Sequence, residues 1–352
     1  MKSAHRSARY AAGVLLAGMT VAATACSSSP SSSSAPAAAT GAGSAASASS
    51  GSGGSGSAAS GTVTNVTVGY VPYSDDASLF YAQDSGIFKK HGLNVTFVPQ
   101  ASPVAVEASM ASGTEQFGFI TAPVLINLNS KGVNVKCVSS VDGNQPSNAA
   151  NDSTALVAAK GSGIKSIKDL AGKNVAEVQL TSLNSLAVMV LAKQAGIDPA
   201  SIHQIAIPFA QMPAALAQGR VQAAVIVAPF LETALSGGAT VLTHPNVDLF
   251  PNATVTCLDA MGSYLSANPT VASEFRAAMN ESIAYTKTHE STVKQSLVKG
   301  LGLTPAVAAK QTLATDFDST LDPASITKIE GYMKEYGQIT SEPPASSMIW
   351  NP

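Results

Sequence analysis

Apolar and polar positions along this chain fall into a unit that occurs twice. In residues 110–124 and 216–230 the shared positions are Ala111/Ala217, Gly113/Gly219, Gln116/Gln222, Ile120/Ile226, Ala122/Ala228 and Pro123/Pro229. Each copy predicts a helix closing on a Gly able to take the left-handed conformation. A short apolar run follows as a buried strand, and Ala-Pro then opens the next helix. Such a unit sets a strand's carboxyl end beside a helix N-terminus, where open α/β sheets bind ligands. Two copies predict two lobes facing one crevice, a clamp.

The pattern around these copies predicts alternating strands and helices. Strands are expected over 63–71, 93–98, 117–120 and 133–141, with helices from Asp76 to about Gly92, over 103–112 and over 123–130. After Gly143-Asn144-Gln145-Pro146 a second series begins. It has strands at 155–159, 175–179, 202–207 and 223–227, a turn at 166–170, and helices from Thr181-Ser182 to 195, at 213–218 and at 229–235. A further strand is expected near 254–264. The alternation argues for largely parallel sheets. From Asn268 onward only helices are predicted, starting at Asn268-Pro269, Thr304-Pro305 and Asp322-Pro323, each a cap residue before Pro. They are expected to pack on the first lobe.

The N-terminus changes the picture from a cytosolic to an exported protein. Lys2, Arg6 and Arg9 precede an apolar run from Ala11 to Ala23, and Ala23-Thr24-Ala25-Cys26 ends in a Cys. This resembles a bacterial lipoprotein signal (residues 1–25), with Cys26 as the lipidated residue. Residues 26–61, almost wholly Ser, Ala, Gly, Pro and Thr, read as a disordered tether. Loss of the signal leaves 17 basic against 22 acidic side chains, net −5. With no basic cluster, nucleic acid is not an expected partner. Two cysteines remain, Cys137 and Cys257. In an oxidising compartment a disulfide between them is expected, the alternative being two small buried hydrophobes. The five His are scattered, so no metal site is expected.

The segment Val68-Gly69-Tyr70 through Gly86-Ile87-Phe88-Lys89-Lys90-His91-Gly92-Leu93-Asn94-Val95 resembles the opening of substrate-binding lipoproteins of ABC importers, in the nitrate, sulfonate, taurine and thiamine-precursor group. The likeness continues through 163–173, 195–199 and 217–224. Gln116 and Gln222 stand where that family often has Asp, and Gln179-Leu180-Thr181-Ser182 stands where it often has a Gly-Ser-Thr-type loop. The resemblance implies a periplasmic-binding-protein type II fold: two α/β lobes, two hinge strands and capture of a ligand between them. On that reading lobe 1 is 62–142 and 256–352, and lobe 2 is 143–255. The expected role is an extracytoplasmic, lipid-anchored, monomeric protein that binds a small polar or anionic organic molecule and delivers it to a membrane permease, with no cofactor and no catalysis. The alternatives are a surface receptor or sensor, and an enzyme on the same fold related to thiamine-pyrimidine or menaquinone synthesis. No Gly-x-Ser-x-Gly elbow or His-Glu-x-x-His helix supports the latter.

Helix N-termini after Asp76, at Ala122, after Ser182 and at Ala228 are expected to point into the cleft. The side chains expected to line it are Tyr73, Ser74, Asp76, Gln100, Ser102, Thr121, Gln145, Gln179, Thr181, Ser182, Asn184 and Phe230, with Tyr73 and Phe230 as possible stacking walls. Asp75, Asp76 and Glu232 read first as caps answering helix dipoles; the sharper alternative pairs one of them with a cationic or amine-bearing ligand.

Overall fold

The computed structural model describes residues 63–143, 152–314 and 316–352. The signal, the tether, Cys26 and Gln145 lie outside the described residues. Ten strands form two five-stranded sheets. The first contains β1 (Thr64–Tyr70), β2 (Leu93–Pro99), β3 (Phe117–Thr121), β4 (Val135–Gly143) and β10 (Thr254–Met261), in the order β2-β1-β3-β10-β4. The second contains β5 (Thr154–Ala158), β6 (Asn174–Glu177), β7 (His203–Ala206), β8 (Ala223–Val227) and β9 (Thr240–Thr243), in the order β7-β6-β8-β5-β9. One order maps onto the other strand for strand, with β3 and β8 at the centres, so the sequence repeat is a repeat of architecture.

The repeat extends to individual hydrogen bonds. Gln116 Oε1 accepts from Thr67 N at 2.8 Å and its Nε2 donates to Gly113 O at 3.1 Å. Gln222 does the same with Asn174 N at 3.1 Å and Gly219 O at 3.0 Å. Gly113 and Gly219 have φ of 78° and 69°, the left-handed turn that closes each preceding helix. Each glutamine therefore ties the Gly turn to the neighbouring strand. Replacing either by Ala strands a backbone N–H and is expected to cost about 1–2 kcal/mol in urea unfolding, with similar values for Gln116→Ala and Gln222→Ala.

Three expectations are corrected. The sheets are mixed rather than largely parallel: β10 runs antiparallel between β3 and β4, and β5 antiparallel between β8 and β9. A strand that enters a sheet after crossing from the other half arrives from the opposite end, which reverses its direction. The first helix is two pieces, Ala77–Asp84 and Ile87–Lys90, broken at Gly86 with φ 79°. In the second copy Ala228-Pro229 is a cis peptide and the helix starts at Phe230, whereas Pro123 lies inside its helix. The long C-terminal helices pack on the first half, as expected. Helix Pro269–Thr286 does, stacking Phe275 on Phe117 (ring centroids 4.0 Å) and on Phe88 (5.5 Å). Helix Pro323–Glu335 does too, burying Ile326, Ile329 and Met333 with Leu125 and Ile126, and the same cluster reaches Leu183, Leu186 and Val190 of the second half.

Cys137 on β4 and Cys257 on β10 are joined as a disulfide, Cα–Cα 5.6 Å. Among the described residues no helix is long and apolar enough to cross a membrane.

Candidate functional site

β3 and β8 end in the same cleft. Its wall takes Phe119, Ile120, Thr121, Val255 and Thr256 from the first sheet, Thr154 and Val227 from the second, and Val71, Tyr73, Asp75, Pro103, Val178, Ser182, Leu183, Asn184, Phe209 and Asn246 from the segments around them. The empty space, open mouth and adjoining solvent included, is about 600 Å³. Three rings meet on one side: Tyr73 lies 5.9 Å from Phe119 and 6.4 Å, edge-on, from Phe209.

The halves touch around this space. Ser74 N donates to Ala228 O at 2.8 Å, Ala228 N donates to Ser153 O at 2.9 Å, and Ser153 Oγ donates to Asp75 Oδ2 at 2.7 Å. This circuit ties the 3-10 turn Ser74–Asp76 of the first half to the ends of β5 and β8. The halves also meet where Gln179 Nε2 donates to Glu107 Oε1 at 3.1 Å.

Of the residues expected from sequence, Tyr73, Thr121, Ser182 and Asn184 line the cleft together. Ser182 Oγ accepts from Ser185 N at 3.1 Å and caps helix Leu183–Gln194, so one hydroxyl both caps and faces the cleft. Thr121 Oγ1 is buried without a hydrogen-bond partner. Asn184 Oδ1 accepts from Asn246 Nδ2 at 3.1 Å. The others sit elsewhere. Ser74 Oγ donates to Gln311 Oε1, Gln100 Nε2 donates to Glu115 Oε1, and Thr181 Oγ1 accepts from Gln179 Nε2. Ala122 and Ala228 are buried, Ser102 precedes helix Pro103–Ser112, and Phe230 packs on the core. Asp76 accepts from Tyr73 N at 3.2 Å, a capping-box contact of the turn Ser74–Asp76, and makes no side-chain bond into the helix that follows. Glu232 Oε1 accepts from Thr312 N at 3.2 Å.

Beside the cleft, and sharing Asp75, Thr154, Asn246 and Val255 with it, is a small chamber that also receives Asp142, Asp152 and Ser153. Its three carboxyl groups lie far above the ordinary acidic range because burial penalises their charge. Asp142 is pushed up to about 7, with the Thr256 donors opposing, and Asp152 to about 6, opposed by the Thr154 N–H and His244. Asp75 goes well up by burial and the nearby Asp142, against the Ser153 hydroxyl.

A family model described as NMT1/THI5 like matches residues 74–292. The chain belongs to the NMT1/THI5-like family. No curated protein sequence matches it. Among solved structures, the fold of this NMT1/THI5-like chain is similar to that of a ligand-binding component of an ABC-type import system from Staphylococcus aureus, solved with zinc bound: 18% identity, TM-score 0.70, 81% of this chain and 96% of that one. It is similar to the alkanesulfonate-binding protein SsuA from Xanthomonas axonopodis pv. citri bound to MOPS, at 17% identity and TM-score 0.69 over 82% and 98% of the chains. It is also similar to the periplasmic nitrate-binding protein NrtA from Synechocystis PCC 6803, at 16%, TM-score 0.67, 81% and 84%. At such identities the likeness is one of fold.

Proposed function

We propose that this NMT1/THI5-like chain is an extracytoplasmic solute-binding protein of an ABC importer, held at the membrane by a lipid on Cys26 and acting as a monomer. The observation that carries the reading is the cleft at the facing ends of β3 and β8, lined from both halves and bridged by Ser74–Ala228 and Gln179–Glu107. A solute touching both walls favours the closed arrangement by its differential affinity for it, and the closed form is what a permease recognises. The proposed lobes are 62–142 with 256–352, and 143–255, joined by two hinge strands. In the wall we assign ligand contact to Tyr73, Thr121, Ser182 and Asn184. The fold neighbours that are binding components of importers support this role over an enzymatic one.

A thermal-shift panel of sulfonates, nitrate, pyrimidines, flavins, amines and aromatic acids tests it. A ligand at about 100 times its Kd adds about 2.7 kcal/mol, a rise of several degrees at this size. A panel that leaves the melting point unmoved throughout removes the proposal.

A further inference from the structure

The inner end of the cleft gathers three buried carboxyl groups with no Lys or Arg to answer them. Asp75, Asp142 and Asp152 are 6%, 2% and 6% exposed. No Lys or Arg lines the cleft or its side chamber, and no ion pair among the described residues involves these three. Asp75 has one oxygen on the Ser153 hydroxyl, but its Oδ1 is buried without a hydrogen-bond partner, as is Asp142 Oδ1. Buried carboxylate oxygens left this way are costly unless something supplies donors or positive charge.

We infer that the solute is an organic cation, whose amine, amidine or similar N–H-bearing group seats at Asp75 with Asp142 and Asp152 behind it, while its apolar or aromatic body lies against Tyr73, Phe119 and Phe209. The inference rests on the solute-binding reading above and narrows its ligand. The ring cluster is an independent argument, since aromatic faces attract cations as well as apolar groups. Asp75 joins the two features: it lines both the ring-walled cleft and the chamber.

A bare metal ion fits less well. One ion would draw carboxylate oxygens to 2.3–2.6 Å from itself, so its ligands would lie within about 5 Å of one another. Among the described residues the one group of three or more His, Cys, Asp and Glu with ligand atoms within 4.8 Å is Cys137, Cys257 and Asp259, and its two sulfurs are joined to each other. The carboxyl groups of the cleft are spread wider, which suits several N–H donors on one molecule. A sulfonate or nitrate would find no Lys or Arg in this wall to pair with.

Other titratable groups near the three carboxyls are Asp76, Asp316, Asp248, His244 and the Tyr73 hydroxyl. His244 Nδ1 is 2.8 Å from the Thr154 carbonyl, which only accepts, so that nitrogen carries a proton. The carboxyls shed protons when a cation arrives, so its affinity falls as pH drops through 7 and 6.

The test uses probes of matched shape and opposite charge: benzamidine and benzylamine against benzoate and benzenesulfonate, with benzyl alcohol, calcium chloride and zinc chloride, by thermal shift and calorimetry at pH 8 and 5.5. The expected result is binding of benzamidine or benzylamine, weaker at pH 5.5. Asp75→Asn is expected to weaken it about tenfold or more, and the exposed, distant Asp169→Asn to leave it unchanged. Should Asp75→Asn lose its cooperative melt, Asp142→Asn with the same readout decides. Binding of benzoate or benzenesulfonate without the amines overturns the cation and leaves solute capture standing. A response to the metal salts alone overturns the organic ligand, and silence from every probe overturns the cation while the broader panel above decides solute capture.

Discussion

Replacing Cys137 and Cys257 together by Ala is expected to lower the unfolding free energy by several kcal/mol. The two residues are 120 apart in sequence, and the loop between them carries all of β5 to β9. In the loop-entropy model, closing a loop of that length restrains the unfolded chain by about 5 kcal/mol, with measured bridges mostly giving 2–4. Two buried side chains also lose their sulfurs, each a small packing loss. The expected fall in melting temperature is roughly 10 °C. Reductant should reproduce most of it in the unaltered chain and change nothing in the double variant. The mature, oxidised protein should show no free thiol at either position. Labelling of Cys137 or Cys257 without reduction, or an unchanged melt in the double variant, ends the account.

That bridge shows where reading residues in order succeeds and where it stops. Patterns confined to a few consecutive residues carried through: Gly113 and Gly219 end helices, β3 and β8 are short apolar runs, and Pro103 opens a helix at its expected start. β9 was not legible, because Thr240 and Val241 are exposed at a sheet edge and leave no apolar face to detect. The mixed sheets escaped as well, since strand direction depends on which end a crossing chain enters. For the site the division is sharper. Tyr73, Thr121, Ser182 and Asn184 sit next to strand ends or helix starts, so the unit itself pointed to them. Asp142 closes β4, Asp152 precedes β5, and Asp75 lies in a turn nearly seventy residues earlier. Each alone reads as an ordinary loop or cap carboxylate, and only the crossing between the sheets brings them to one chamber. Phe209, in a short 3-10 turn, joins Tyr73 in the same non-local way.

The convergence of acids gives the second large effect, on the unliganded protein. Its melting temperature is expected to rise as the buffer is taken from pH 8 to about 5.5. The sign follows from the direction of the shifts: burial, the largest cause throughout, raises Asp75, Asp76, Asp142, Asp152, Glu177 and Asp259 above their ordinary range. Between the unfolded value near 4 and the folded value, the native chain holds protons that the unfolded chain releases. Stability is therefore full below the lower value and is lost as pH rises through the upper one. Asp142, at about 7 against an ordinary 3.8, accounts for a difference on the order of 3–4 kcal/mol at pH 8. Asp142→Asn should then be more stable than the unaltered chain at pH 8 and should flatten the slope between pH 8 and 6. Below about pH 4.5 the trend should reverse, as the lowered surface carboxylates Asp169, Glu281 and Asp318 lose their partners. A melt that strengthens from pH 5.5 to 8, or an Asn variant with the same slope, would mean that these acids are ionised in the folded protein and that something other than protons already balances them.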